Sequence, residues 1–390
     1  MGKLRLPKRA SLKPSLQSIG DNGKAKDGFR SNKKYLFKGV SVRLPLKSPT
    51  VATWLFLAAF LIVALVCVGG ATRLTQSGLS ITEWKPIAGV IPPGSDTAWN
   101  AEFANYKKIP QFAQINPHMT LNQFKGIYWW EWTHRLLARL LGVVYLLPFL
   151  AFLLLSEIPG RVVWRAGVAV GLIIFQGLVG WWMVASGLTK RIFVAPEMLM
   201  THLCMALILL VWSVWTGLEA AEGAPRSRGA AGVWRTSAGV LLAIVFVQCL
   251  LGALVAGNQA GLVYNDWPLM NGYFAPYVDW TKGIGYSLFH DQGLVQFMHR
   301  MNAYILLIYA IGFAVVMARK CNDDGLKALS TGVAVTACLQ AALGIATLIS
   351  VVNFWFALLH QLLAVTLLSL TTLLTWHIAR ADRVFRRSGF

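Results

Sequence analysis

Eight stretches of this chain are long and apolar enough to cross a lipid bilayer, and no other feature constrains its fold so tightly. They lie at roughly 52–72, 124–155, 162–186, 195–217, 233–257, 292–318, 327–350 and 353–378. About 20 apolar residues cross the roughly 30 Å hydrocarbon core as one helix. Of the 390 residues, 56% are hydrophobic and only 13% are charged, where a soluble protein carries about 25% charged residues. A soluble two-domain enzyme is therefore excluded. The 16 Trp and 20 Phe exclude a solvated, disordered chain as well. Cys67, Cys204, Cys249, Cys321 and Cys338 form no Cys-x-x-Cys pair, and all but Cys321 sit inside apolar runs. That argues against a disulfide framework or a zinc site. The expected class is an all-α polytopic membrane protein.

Charge sets the orientation. Residues 1–50 hold 13 Lys and Arg against Asp21 and Asp27, and counting on through alternate loops gives one side 25 basic residues and the other 8. Lys and Arg gather in cytoplasmic loops, so both termini are expected inside. The net charge of +20 then needs no nucleic-acid partner. The first 50 residues lack the apolar core of a secretory signal. Nine Lys to four Arg is the wrong balance for a mitochondrial presequence, so a basic cytoplasmic tail is the plainer reading. Long connections follow the first span (about 73–123) and the fifth (about 258–291), both on the outer side.

An internal repeat organises the spans. The first ends in Gly69-Gly-Ala-Thr-Arg-Leu-Thr-Gln-Ser-Gly-Leu, running on to Glu83-Trp84-Lys85-Pro86. The fifth ends in Gly252-Ala-Leu-Val-Ala-Gly-Asn-Gln-Ala-Gly-Leu, running on to Asp266-Trp267-Pro268. Gly78-Leu79 aligns with Gly261-Leu262 and Trp84 with Trp267, at one constant offset of 183. His134-Arg135 then matches His299-Arg300, Gln176-x-x-x-Gly180 matches Gln340-x-x-x-Gly344, and His202 matches His360. The eight helices are expected as two pseudo-symmetric four-helix bundles. The segments are a basic tail (1–50), an N-terminal half (51–218), an inner linker (219–232), a C-terminal half (233–380) and a second basic tail (381–390).

Seven histidines divide cleanly. His118 and His290 fall in outer loops and His377 at the inner end of the last span, where solvated or interfacial roles suffice. His134, His202, His299 and His360 lie inside spans two, four, six and eight, and an ionisable residue within a span is a functional candidate by default. At 1.5 Å per residue each sits roughly 10–15 Å below the outer surface. Each half thus offers two histidines at one level on parallel helices. Zinc prefers three or four ligands, whereas haem takes axial histidines from facing helices of a bundle. Two bis-histidine haem sites, one per half, are the economical expectation. Arg73, Arg135, Arg139 and Arg300 lie at or below the outer boundary and are candidate partners for haem propionates. Snorkelling to lipid headgroups is the alternative, and it suits Arg73 best.

The repeat breaks at one place. Span two reads Glu131-Trp-Thr-His134, whereas span six reads Gln296-Phe-Met-His299. Residues three apart share a helix face, so Glu131 is expected beside His134 and facing the first cavity. There a buried carboxylate relays protons or stabilises developing positive charge. Its alternative role is a salt bridge to Arg135 or Arg139, or a hydrogen bond that fixes a histidine. The asymmetry predicts chemistry in the first half and electron carriage in the second.

Gly69-Gly-Ala-Thr-Arg-Leu-Thr-Gln-Ser-Gly-Leu-Ser, Glu131-x-x-His134-Arg135, Gln176-Gly-Leu-Val-Gly-Trp-Trp-Met-Val-x-Ser-Gly-Leu, Ala260-Gly-Leu-Val-Tyr-Asn-Asp-Trp-Pro-Leu-Met and Gln296-x-x-His299-Arg300 closely resemble the haem A synthase family, over about residues 50–380. The resemblance implies oxidation of the C8 methyl of haem O to the formyl of haem A, through an alcohol and a gem-diol that loses water. It implies that His134 and His202 flank the substrate haem O, that His299 and His360 ligate the iron of a haem b cofactor, and that Glu131 is the essential acid. The chain has no cysteine pairs in its outer loops, so it is similar to the proteobacterial and mitochondrial branch.

The implied surroundings are the bacterial inner membrane, with the mitochondrial inner membrane as alternative. The implied partners are haem O and haem A, an unidentified electron donor, haem O synthase or oxidase assembly factors, and the lipid bilayer; a homo-oligomer is compatible. Two other readings stay open on the residues alone: a di-haem b-type electron-transfer protein, and a haem carrier without chemistry.

Overall fold

The computed structural model describes residues 35–37, 40–42, 44–223 and 232–381. Most of the two basic tails and most of the linker at 219–232 lie outside the described residues. Within the N-terminal segment, β1 (Tyr35–Phe37) and β2 (Val40–Val42) pair antiparallel, Tyr35 opposite Val42 and Phe37 opposite Val40. From Leu44 onward the chain forms one compact helical unit.

Among the described residues its eleven α-helices are α1 (Pro49–Leu74), α2 (Asp96–Tyr106), α3 (Pro110–Ile115), α4 (Leu121–Leu154), α5 (Val163–Gly187), α6 (Pro196–Glu222), α7 (Gly232–Gly257), α8 (Ile284–His290), α9 (Gln292–Lys320), α10 (Asp324–Ile349) and α11 (Phe354–Arg380). Eight of them, α1, α4 to α7 and α9 to α11, are long and apolar enough to cross a membrane, and the chain is a multi-pass membrane protein. Their boundaries follow local chemistry. The Ser48 side chain accepts from the Val51 N–H ahead of Pro49, a cap followed by a proline in the first turn. Thr120 and Gln123 close a reciprocal capping box at the start of α4. Helix α6 continues to Glu222, into the segment expected as linker.

The two long connections define a loop end, opposite the tail end where α1 begins and α11 finishes. Helix α4 has 34 residues, about 51 Å at 1.5 Å per residue and well beyond the membrane core. Its first turns project among the helices of the first connection. There Phe103 stacks on Phe124 at 4.9 Å, and Trp99 meets Tyr128 edge-on at 5.0 Å.

The repeat governs the packing. In the first half α1 packs on α4 and α6, and α5 on α4 and α6; in the second α7 packs on α9 and α11, and α10 on α9 and α11. The halves meet through α1 against α11, α6 against α7, and α6 against α11. Exchanging the halves maps the first of these contacts onto the second, so the interface has a pseudo-twofold axis running between α6 and α11. Polar links cross it, among them Gln361 Nε2 donating to the Val66 carbonyl at 2.8 Å and Arg73 Nη2 to that of Ala256 at 2.8 Å.

Candidate haem-binding site

Each of the four intramembrane histidines lies against a glycine of a neighbouring helix. A methyl group added at Gly69 would stand 3.1 Å from the His134 ring, at Gly180 2.8 Å from His202, at Gly252 3.3 Å from His299 and at Gly344 2.8 Å from His360. These glycines lie five to seven residues from the loop-end termini of α1, α5, α7 and α10. All four imidazoles therefore sit about 8–10 Å below the loop end of the bundle. The glycines were not singled out in the sequence as partners of the histidines, although two of them stood in the repeated Gln-x-x-x-Gly motif.

The glutamine of that motif grips the histidine. Gln176 Nε2 donates to the His202 carbonyl at 2.9 Å and stands 3.2 Å from its Nδ1; Gln340 Nε2 donates to the His360 carbonyl at 3.0 Å. A third copy, Gln248-Cys-Leu-Leu-Gly252, does the same for His299, with contacts of 3.1 Å to its carbonyl and 3.1 Å to Nδ1. Asn302 in turn donates to Gln248 Oε1 at 2.8 Å. The first-half equivalent, Leu65-x-x-x-Gly69, has an apolar side chain at the gripping position, and Leu137 stands where the second half has Asn302.

In the second half the His299 and His360 ring centres are 6.4 Å apart, their planes at 78°. Two imidazoles whose nitrogens each approach one metal ion to about 2 Å from opposite sides have ring centres roughly 6 Å apart. The pair therefore fits axial ligation of a single iron. Glycine at each ring keeps side-chain bulk away, and Gln176 Oε1, Gln340 Oε1 and His360 Nδ1 are buried without a hydrogen-bond partner. Unsatisfied polar atoms at equivalent places in the two halves mark sites that a further group completes.

Glu131 is 3% exposed and held by three donors. Its Oε2 accepts from Ser80 Oγ at 2.8 Å and the Ile81 N–H at 2.9 Å, and its Oε1 pairs with Arg135 Nη2 at 2.5 Å. Here it takes the salt-bridge arrangement weighed as its alternative role. Gln296, its counterpart, is also 3% exposed but has the opposite polarity: Nε2 donates to the carbonyls of Ala260 at 3.0 Å and Tyr264 at 3.1 Å. Carboxylates only accept and amide nitrogens only donate. The single Glu-to-Gln difference is thus matched by a connection that presents donors in one half and acceptors in the other.

The arginines serve first as clamps on these connections, whose buried carbonyls need donors. Arg135 donates to Ile81 O at 2.7 Å and Glu83 O at 2.9 Å, and Arg300 to the equivalent Tyr264 O at 3.1 Å and Asp266 O at 3.0 Å. Arg139 holds the carbonyls of Lys85 and Pro86, each at 2.8 Å. Arg73, beyond its bond across the interface, lies 5.0 Å over the Phe193 ring. One buried N–H remains unpaired on each of Arg73 (Nε), Arg139 (Nη1) and Arg300 (Nε). In the second connection the Asn271 N–H donates to Asp266 at 2.8 Å and holds that carboxyl below its usual range.

Residues 52–372 match the family of cytochrome oxidase assembly proteins, COX15-CtaA. The chain is 52% identical over 336 residues to the haem A synthase of Caulobacter sp. strain K31, covering 86% of this chain and 97% of that protein. It is 48% identical to that of Bradyrhizobium sp. strain ORS 278, covering 86% and 92%, and 41% identical to that of Sphingopyxis alaskensis, covering 87% and 93%.

Proposed function

The chain belongs to the cytochrome oxidase assembly family that includes these haem A synthases, and from that premise we propose that it oxidises the C8 methyl of haem O to the formyl of haem A. Its product then serves haem-copper terminal oxidases. Two successive oxidations, each consuming one dioxygen, two protons and two electrons from a separate donor and releasing one water, take the methyl to an alcohol and a gem-diol, and loss of water leaves the aldehyde. The observation that carries the reading is the Glu131 carboxylate, held by Ser80 and Arg135 beside His134 in one half, where the other half has the neutral amide of Gln296 beside Arg300.

In this reading His134 and His202 flank haem O, and His299 and His360 hold haem b, which supplies one-electron exchange when bound. Glu131, one helical turn from His134, presents a fixed negative charge beside the reacting half, where it stabilises positive charge developing on substrate or takes a proton. The unpaired N–H groups of Arg73, Arg139 and Arg300 are donors for propionates. Arg135 is committed to Glu131 and to the carbonyls of Ile81 and Glu83, so it acts on the carboxylate and the first connection. The protein sits in the bacterial inner membrane with both termini cytoplasmic and takes electrons from a separate donor.

The test is to express the chain in cells that make haem O but no haem A, then separate the pigments by chromatography. Haem A in the membranes, with haem b and haem O or A on the purified protein, is expected. Haem b alone would overturn the reading in favour of an electron-transfer protein, and haem O bound but never converted in favour of a carrier.

A further inference from the structure

The tail end of the bundle holds a second charge cluster, which the proposed oxidation does not use. Glu219 lies 17 residues beyond His202 on α6, about 25 Å toward the tail end. It is 7% exposed and meets three guanidinium groups. Arg161, in the α4–α5 connection, pairs with its Oε2; Arg165 on α5 brings Nη1 to 3.9 Å; Arg380 at the end of α11 brings Nη1 to 3.1 Å. One carboxylate cannot neutralise three guanidiniums. The exposed Glu222 at the rim acts on Arg380, while the Lys47 side chain, passing beside Gly223, adds positive charge back.

Two donors in this cluster lack acceptors. Arg165 Nη1 is buried and too far from Glu219 to hydrogen-bond, and Trp376 Nε1 is unpaired on a ring only 2% exposed that lies 4.2 Å beneath the Arg380 guanidinium. Arg161 and Arg165 themselves keep 30% and 28% of their side chains exposed, so an anion can reach them from outside. The neighbouring surface is apolar. Trp164, with the Arg165 guanidinium 5.6 Å from its ring centre, is 57% exposed, and Leu154 and Leu155 at the end of α4 are 84% and 67% exposed.

We propose that this cluster binds the phosphate headgroup of an anionic membrane lipid, with Arg161 and Arg165 as donors and the acyl chains lying over Trp164, Leu154 and Leu155. Guanidinium forks match phosphate oxygens, and basic pockets between membrane helices take anionic headgroups. The excess charge, the unpaired donors and the adjoining apolar wall all meet here.

The test is thermal unfolding of the full chain in a neutral detergent, titrated separately with phosphatidylglycerol, phosphatidylcholine and inorganic phosphate. Phosphatidylglycerol is expected to raise the midpoint saturably, while phosphatidylcholine and inorganic phosphate leave it unchanged. Arg165→Gln should raise the half-saturating lipid concentration about fivefold, as expected for one basic contact. Arg165→Lys, which keeps the charge and loses the fork, should fall between, and it carries the test if the glutamine variant does not fold. Lys125→Gln at the loop end should leave the response unchanged. An equal shift with phosphatidylcholine, an unchanged half-saturation in both Arg165 variants, or a full shift with inorganic phosphate alone would overturn the proposal.

Discussion

The two halves share helix order, packing and histidine placement, yet their polar chemistry is opposed. In the second half amides hold the histidines: Gln248 and Asn302 brace His299, Gln340 grips His360, and Gln296, beside Arg300, gives its hydrogens to loop carbonyls. In the first half a carboxylate replaces the amide, loop donors replace loop acceptors, and leucines, Leu65 and Leu137, stand at the positions equivalent to Gln248 and Asn302. The difference supports the proposed division of labour. A ligand set braced by amides suits a group that stays in place. A charged site with one histidine left unbraced suits a substrate that must arrive, react and leave.

The largest effect that would sharpen this comparison comes from filling the glycine cradles. Gly344→Ala and Gly180→Ala put a methyl 2.8 Å from a histidine ring carbon, closer than side chains tolerate. Each is expected to lower haem content in its own half at least tenfold and spare the other. Gly69→Ala and Gly252→Ala, at 3.1 and 3.3 Å, should lower it only severalfold. Pigment quantified per chain checks this, and equal losses at all four positions would break the symmetry argument.

A second test exchanges the opposed polar residues. Gln296→Glu sets a carboxylate against two carbonyls and is expected to destabilise the protein by about 2–3 kcal/mol, the cost of an unsatisfied buried group. Glu131→Gln keeps an oxygen for Ser80 and Ile81 and turns an amide NH2 toward Arg135, which retains the carbonyls of Ile81 and Glu83, so it should cost less. Equal losses in denaturation experiments would show that the two connections are not matched to their partners.

The smallest effect concerns release. Leu65→Gln restores the grip on His134 found at the other three sites, so haem should leave the first half severalfold more slowly in a capture assay with excess apo-globin. Gln248→Leu should speed loss from the second half. Unchanged rates in both would remove the bracing from the account.

Much of this was legible in the sequence, because a membrane span has only one way to satisfy its backbone. The eight spans, the offset of 183 and the four intramembrane histidines all followed from apolarity and spacing. The short helices α2, α3 and α8 were not legible, since they lie in connections whose packing depends on the bundle beneath. The partners of the arginines were equally hidden. Arg135 and Arg300 could be placed near the histidines, but the loop carbonyls they reach are set by how each connection folds back. Gln176-x-x-x-Gly180 and its second-half copy were visible as a repeat, yet a glutamine and a glycine on one helix face also read as ordinary close packing. Only three dimensions set each pair against a histidine.

The central claim is that the charge on Glu131 does the work of the first half while the second half carries electrons. The most direct measurement is the ratio of haem A to haem O in membranes of cells expressing Glu131→Gln, with haem b on the purified protein as the internal control. A fall in that ratio of about a hundredfold, the lower end of the range for loss of one positioned acid–base or electrostatic group, is expected with haem b retained. Haem A at the level of the unaltered chain, with the substitution verified and haem b present, would contradict it.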